Sequence, residues 1–340
     1  MSFLSLKWSG ENQITPKALP LCLLDVLLTN SDKDHPLRQQ EIIDALKSEY
    51  GLSIERKAIG ANLKLLEDLG FEIQKTKEGV YLNNPVFDVS EIRYLIDAVF
   101  SSKNIKSTQC KDLSERLAGF CSKYQRKNYS YLVNSNSLTR RNTKVDFFYN
   151  VEVINEAIAQ EKMISFKYRC YGYDGSEKVR GKYGDGQVFR VSPYYLISNN
   201  SRYYLLGYYK YDNLSAYRVD HMVSLKILDE PRKPVREVVP DFNLASYLNE
   251  RIYLFGGEPV TAKLLLHNEG AVDSLRDWFG DAVSFFEEEG KHYARVRSVQ
   301  KALSYWALQY GEEVTVVEPA SLVDDVKKMI SNISNNYGLG

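Results

Sequence analysis

Arg190-Val191-Ser192-Pro193-Tyr194-Tyr195-Leu196, then Tyr203-Tyr204-Leu205-Leu206-Gly207-Tyr208-Tyr209, then Ala216-Tyr217-Arg218-Val219-Asp220-His221-Met222 is the stretch on which this 340-residue chain turns. Its β-branched and aromatic runs are broken by the polar turns Asn199-Asn200-Ser201 and Asp212-Asn213. That pattern predicts a meander of strands. Of the 25 tyrosines, 12 lie from Tyr168 to Tyr217, interleaved with Arg169, Arg180, Arg190, Arg202 and Arg218. Tyrosine offers a flat stacking face with a polar tip, and arginine a rigid fork for phosphate or carboxylate. Together they suit an anionic ligand with rings, a nucleotide or a short single strand.

This segment resembles the WYL domain, a small Sm-like β-barrel named for a Trp-Tyr-Leu triplet. Tyr203-Tyr204-Leu205 stands at the triplet, and Arg190 to Pro193 supplies the Arg-x-x-Pro element. The family's closing pattern, aromatic-Arg-hydrophobic-Asp-Arg-hydrophobic, is matched by Tyr217 to Met222, with His221 in place of the second arginine. The resemblance implies a sensor. Arg190 and Arg218 are the candidate anion grip, Tyr168, Tyr204 and Tyr208 the stacking candidates, and Ser192 a further ligand-binding candidate. His221 is a weaker, pH-sensitive contact, because histidine is only partly charged near pH 7. Packing competes with ligand contact for every one of these tyrosines, since a barrel interior must be filled.

Outward from this stretch, the length predicts two or three domains, and 44% hydrophobic residues suffice for ordinary cores. No apolar run reaches the ~18 residues of a membrane span, and the N-terminus lacks a leader pattern, so a cytoplasmic protein is expected. Cys22, Cys110, Cys121 and Cys170 are scattered and read as reduced, packed thiols. Net charge is zero but unevenly spread: −2 over residues 1–85, +5 over 86–150, +3 over 151–240 and −6 over 241–340.

Residues 1–15 read as a loosely held arm. Pro16 to Leu28 predicts a helix buried over most of its surface. Leu37 to Tyr50 is amphipathic and ends at Gly51. Ser53 is the expected N-cap of a third helix with Ile59, Leu63, Leu66 and Leu69 inward. Phe71 to Lys75 and Gly79 to Leu82 read as a hairpin. Three helices and a hairpin over residues 16–84 predict a winged helix-turn-helix. The order resembles the DeoR-like winged helices that commonly precede WYL domains. In such a reader of double-stranded DNA, Arg56, Lys57, Gly60, Ala61 and Lys64 would enter the major groove, and Lys75 and Lys77 at the wing would touch phosphate.

Residues 85–150 read as a helical linker and possible dimer contact, with Ser90 capping one helix, Leu113 to Phe120 forming another, and Lys123 to Lys144 as exposed chain. The barrel is assigned to 151–232. Within it, Tyr171 to Gly186 fails the Gly-Lys-Ser/Thr test of a phosphate loop and reads as a hairpin overhanging the ligand face. From Asp241 the pattern becomes strand-helix, with strands at Val260–His267, Tyr293–Val299 and Val314–Val317. A ferredoxin-like α+β sandwich over 241–335 follows, with Trp306 in its core. It resembles the WCX extension that follows WYL domains, through Trp278-Phe279-Gly280, Trp306 with Gly311, and Val316-Val317-Glu318-Pro319.

No metal set, nucleophile elbow or dinucleotide fingerprint is present in the sequence, so neither catalytic nor metal-binding residues nor a cofactor are expected. The whole reads as a multidomain α+β transcriptional regulator, expected to work as a homodimer on a DNA operator under control of an anionic effector. The rival reading is a nucleic-acid-binding accessory protein, in defence or RNA handling, without promoter control.

Overall fold

The structure, a computed structural model, describes residues 14–83, 87–127, 147–181, 186–210 and 214–339. Most of the expected arm (1–13), most of the expected exposed chain (128–146) and residues 182–185 of the expected hairpin lie outside the described residues. The chain divides into two compact units, Met1–Lys144 and Val145–Gly340.

In the first unit, helix α1 (Leu19–Asn30) buries Leu19, Cys22, Leu23, Leu24, Val26 and Leu27. Its apolar residues surround the axis, so it forms the centre on which α2 (Gln39–Tyr50) and α3 (Arg56–Asp68) pack. At the start of α2, Glu41 accepts the backbone N–H of Arg38 at 2.6 Å. Gly51 closes the helix with φ 69°, a left-handed position that glycine occupies without penalty. The third helix starts later than expected: Glu55, not Ser53, is its N-cap. Leu52 is buried and Ile54 packs against the same core, which keeps 52–55 out of the helix. Ile59, Leu63 and Leu66 face inward as expected, but Leu69 is 66% exposed because the helix has ended at Asp68.

Strands β1 (Ile73–Lys75) and β2 (Val80–Leu82) pair antiparallel. Val80 also exchanges two backbone hydrogen bonds of 2.8 Å with Leu37, which ties the hairpin to the entrance of α2. Gly79 makes this approach possible: at φ 158° a Cβ there would lie 2.4 Å from the Leu37 carbonyl oxygen. Helices α4 (Val89–Ser101), α5 (Ser107–Ala118) and α6 (Lys123–Arg126) follow. Asp88, not Ser90, caps α4, since Glu91 three residues on accepts its N–H at 2.8 Å. The α6 entrance is pinned to the turn after α1: Ser122 donates to Asp32 at 2.5 Å, and His35 stacks on Tyr124 with centroids 3.7 Å apart.

The second unit opens with α7 (Phe147–Ala159), followed by β3 (Lys162–Tyr171), β4 (Glu177–Val179), β5 (Val188–Asn199), β6 (Arg202–Tyr208), β7 (Ser215–Arg218) and β8 (Met222–Pro231). The sheet order is β4-β3-β5-β6-β7, with β8 also on β3. Among the described residues the expected closed barrel is not formed. After the four residues of β7, a 3-10 turn, Val219–His221, interrupts the chain, and β7 and β8 do not pair. Helix α7 covers this opening: buried Asn150 donates to the carbonyls of Val219 (3.2 Å) and Met222 (3.1 Å). The sheet packs on the following segment, which includes α8 (Leu244–Asn249), through Tyr194, Ile197, Leu206, Val238, Tyr247 and Leu254.

The chain then forms β9 (Pro259–Leu266), α9 (Gly270–Phe279), β10 (Ser284–Glu288), β11 (Lys291–Val299), α10 (Gln300–Gln309), β12 (Val314–Glu318) and α11 (Ala320–Asn336). The antiparallel sheet runs β10-β11-β9-β12, with its helices packed on one face around fully buried Trp306. Strand β10 was not expected from the sequence; with it the order becomes strand-helix-strand-strand-helix-strand before the last helix.

Candidate functional site

The closing motif of the first sheet builds a charged cluster at the end of β7. The Val219–His221 turn carries Asp220 inward, where it is 3% exposed. Arg218 grips that carboxylate with both ends of its fork, Nε to Oδ1 at 3.1 Å and Nη2 to Oδ2 at 2.6 Å. From β3, the buried Arg169 donates to the backbone carbonyl of Asp220 at 2.8 Å and to Glu177 at 3.1 Å. Two guanidinium groups are thus fixed around one turn, each with a partner that holds its plane.

Tyr168 joins the cluster from below. Its hydroxyl oxygen accepts the backbone N–H of Arg218 at 3.0 Å. Its ring lies 5.4 Å from that of His221, and the Arg180 guanidinium sits 5.6 Å over it. Phe166, Phe189 and Tyr217 form an aromatic layer behind it. Burial raises the Tyr168 hydroxyl above its usual range and takes Tyr217 to about 12, so both stay protonated.

His221 lies 2.9 Å from the Arg169 carbonyl through Nδ1, so Nδ1 carries the proton and Nε2 is the basic nitrogen. Burial first, and the charge of Arg218 second, hold its pKa below the ordinary value. Near pH 7 it is neutral.

Of the residues expected to hold a ligand, Tyr168, Arg218 and His221 come together here. Tyr204 is the register partner of Arg218 but packs toward the Tyr194–Leu206 core. Ser192 and Tyr208 pair with each other further along the sheet. There Ser192 is buried and accepts the Lys233 N–H at 3.0 Å, while the Lys233 ammonium covers the Tyr208 ring at 5.0 Å. Arg190 is not part of the cluster. Phe189 and Val191 point into the sheet's core, which turns Arg190 outward to an exposed ion pair with Glu230 of β8. The sequence reading missed Arg169, Arg180 and Asp220 as site residues. Asp220 stood inside the closing motif and Arg169 next to Tyr168, but their meeting across 51 positions left no local mark.

In the first unit, Arg56, Lys57, Gly60, Ala61 and Lys64 are all exposed, on the side of α3 away from Ile59, Leu63 and Leu66. The small pair Gly60 and Ala61 lets another surface come close to the helix backbone. Lys77 is exposed at the hairpin tip, whereas Lys75 is paired with Glu67 of α3 at 2.8 Å.

Among the described residues no group of His, Cys, Asp or Glu is arranged to hold a metal ion, and no helix is long and apolar enough to cross a membrane. Residues 149–227 match the family model of the WYL domain, and residues 258–334 that of the WCX domain. Among solved structures, the chain is similar to the proteasome accessory factor B/C (PafBC) of Arthrobacter aurescens, at 19% identity over 96% of this chain and 50% of that one, with a TM-score of 0.30. It thus spans half the length of that protein. It is also similar to a structure described as a CRISPR Cas-related protein, at 14% identity over 92% of this chain and 97% of that one, with a TM-score of 0.38. No curated protein matches it.

Proposed function

From a chain that carries a WYL domain followed by a WCX domain, we propose a cytoplasmic transcriptional regulator, not an enzyme, that binds double-stranded DNA and responds to an anionic effector. The three helices and hairpin of the first unit act as a winged helix-turn-helix. The exposed residues of α3 enter the major groove while Lys77 meets phosphate. In a two-fold homodimer the two α3 helices would sit ~34 Å apart, one turn of duplex.

The observation that carries the sensing half is the cluster of Tyr168, Arg169, Arg180, Arg218 and His221, where rings and guanidinium groups share the end of one sheet. A nucleotide or short single strand matches it, with bases on rings and phosphate on guanidinium. Arg218 is half-buried and held flat by Asp220, so little ordering remains to be done on binding. A coupling of ~1–3 kcal/mol between effector and DNA shifts occupancy several-fold to about a hundredfold.

Footprinting the purified protein on the DNA upstream of its own gene tests the proposal. Protection of two half-sites one helical turn apart is expected. Binding to single strands alone, with no protected duplex, would refute promoter control and favour an accessory role.

A further inference from the structure

Among the described residues the WCX sheet leaves one face uncovered. Ala262, Leu264, Ala294, Val296, Val314 and Val316 point to the helices, and the residues alternating with them point away. Cross-strand pairing sets Phe286, Tyr293, Leu265 and Thr315 in one row over all four strands, and Ser284, Arg295, Lys263 and Glu318 in the next. The first row holds two half-buried rings, stacked at 5.7 Å and 19°. Cations of the second row lie over them: Lys263 is 4.4 Å from the Tyr293 centroid, and Arg295 is 4.5 Å from that of Phe286. Lys263 is paired with Glu288, and Arg297 one row on with Glu250. Arg295 makes no ion pair among the described residues.

We propose that this face is a second stacking surface for single-stranded nucleic acid, separate from the cluster at Arg218. Phe286 and Tyr293 would take bases, while Arg295, with Lys263 and Arg297 behind it, would take phosphate. A nucleic acid is the occupant that fits, because the face runs against the charge of its domain: residues 241–340 are net −6, yet the outward strand positions set Lys263, Lys291, Arg295 and Arg297 against Glu288 and Glu318 beside two rings. An open four-stranded sheet with paired rings and flanking cations has the geometry used to splay and stack single strands. Beyond the hairpin end lies a cleft of about 620 Å³ rimmed by Glu269 and Glu287, which repel phosphate and direct the strand's backbone toward Arg295 and Arg297. The proposal shares its ligand class with the effector reading above, but not its site.

The test uses the full chain and a short oligothymidylate bearing bromodeoxyuridine, photo-crosslinked and mapped by mass spectrometry. Crosslinks at Phe286 or Tyr293 are expected. The pair Phe286→Leu, Tyr293→Leu keeps apolar cover on the sheet and should weaken binding about fivefold to a hundredfold. The surface change Arg295→Ala should lower the salt dependence by about one phosphate contact. Crosslinks confined to Tyr168 and to Tyr171, whose ring lies 6.2 Å from that of His221, with unchanged affinity in the WCX variants, would overturn this proposal and leave the first site standing. Absence of any crosslink would overturn both.

Discussion

The outer face of α3 and the cluster at the end of β7 both present arginine, yet they hold it in opposite ways. On α3, Arg56 is exposed and reaches Gln40 only at 3.4 Å, and for Lys57 and Lys64 no ion pair is formed among the described residues. At β7, Arg218 is clamped by a buried carboxylate and Arg169 is buried with it. Solvated, mobile cations suit a long polyanion met in many registers, because displaced counterions supply the affinity. Fixed cations in a half-buried cluster suit one small anion, because their geometry is set before it arrives. On the proposed function the same residue type would serve reading in one region and sensing in the other, and substitutions should cost different things in each.

The largest effect should come from Asp220→Ala. It removes the carboxylate from under Arg218 and leaves a half-buried guanidinium unpaired. We expect a loss of ~2–3 kcal/mol, less than the 3–5 kcal/mol of a fully buried pair because Arg218 keeps partial access to water. Thermal unfolding would measure it, and a melting temperature matching the parent's would show that the clamp carries no stability. Gly79→Ala comes next, at ~1–3 kcal/mol, since its Cβ meets the Leu37 carbonyl. Should that variant melt like the parent, the hairpin is not held to α2 in the way described.

The combined change Arg56→Ala, Lys57→Ala should leave stability within ~0.5 kcal/mol of the parent, as exposed positions do. Duplex affinity should fall roughly tenfold or more, with a salt dependence shallower by about two contacts. Unaltered footprints would remove both residues from the groove.

The smallest effect concerns His221. Its folded pKa is depressed, so the unfolded chain takes the proton first. Its contribution to stability is present above pH ~6.5 and is lost as pH falls through that value toward the folded pKa. Anion affinity should move the other way, rising several-fold on acidification as a cation appears beside Arg218. His221→Gln should flatten both trends; if the parent's affinity is already level between neutral and mildly acid pH, His221 does not face the ligand.

Much of the fold could be read from spacing. Ile59, Leu63 and Leu66 announced the buried side of α3, and the tyrosine-rich meander announced the first sheet. Strand β10 was hidden because Ser284-Phe285-Phe286-Glu287-Glu288 mixes two adjacent rings with carboxylates and shows no clean alternation. The open edge at β7 was hidden too, since the Val219–His221 turn that interrupts the sheet is held by the Asn150 side chain some 70 positions away. In the site, Arg190 could have been set aside from the sequence itself, because Phe189 and Val191 on either side fix its outward direction. Arg169 could not. Nothing local marks an arginine whose partner is a carbonyl on a distant turn.

The most direct measurement follows duplex binding, on the fragment recovered by footprinting, while a short oligothymidylate is added to the parent and to Arg218→Ala. In the parent the midpoint should move several-fold to about a hundredfold, and in Arg218→Ala it should stay still at a similar starting affinity. An equal shift in both proteins, or no shift in either, would contradict sensing at Arg218.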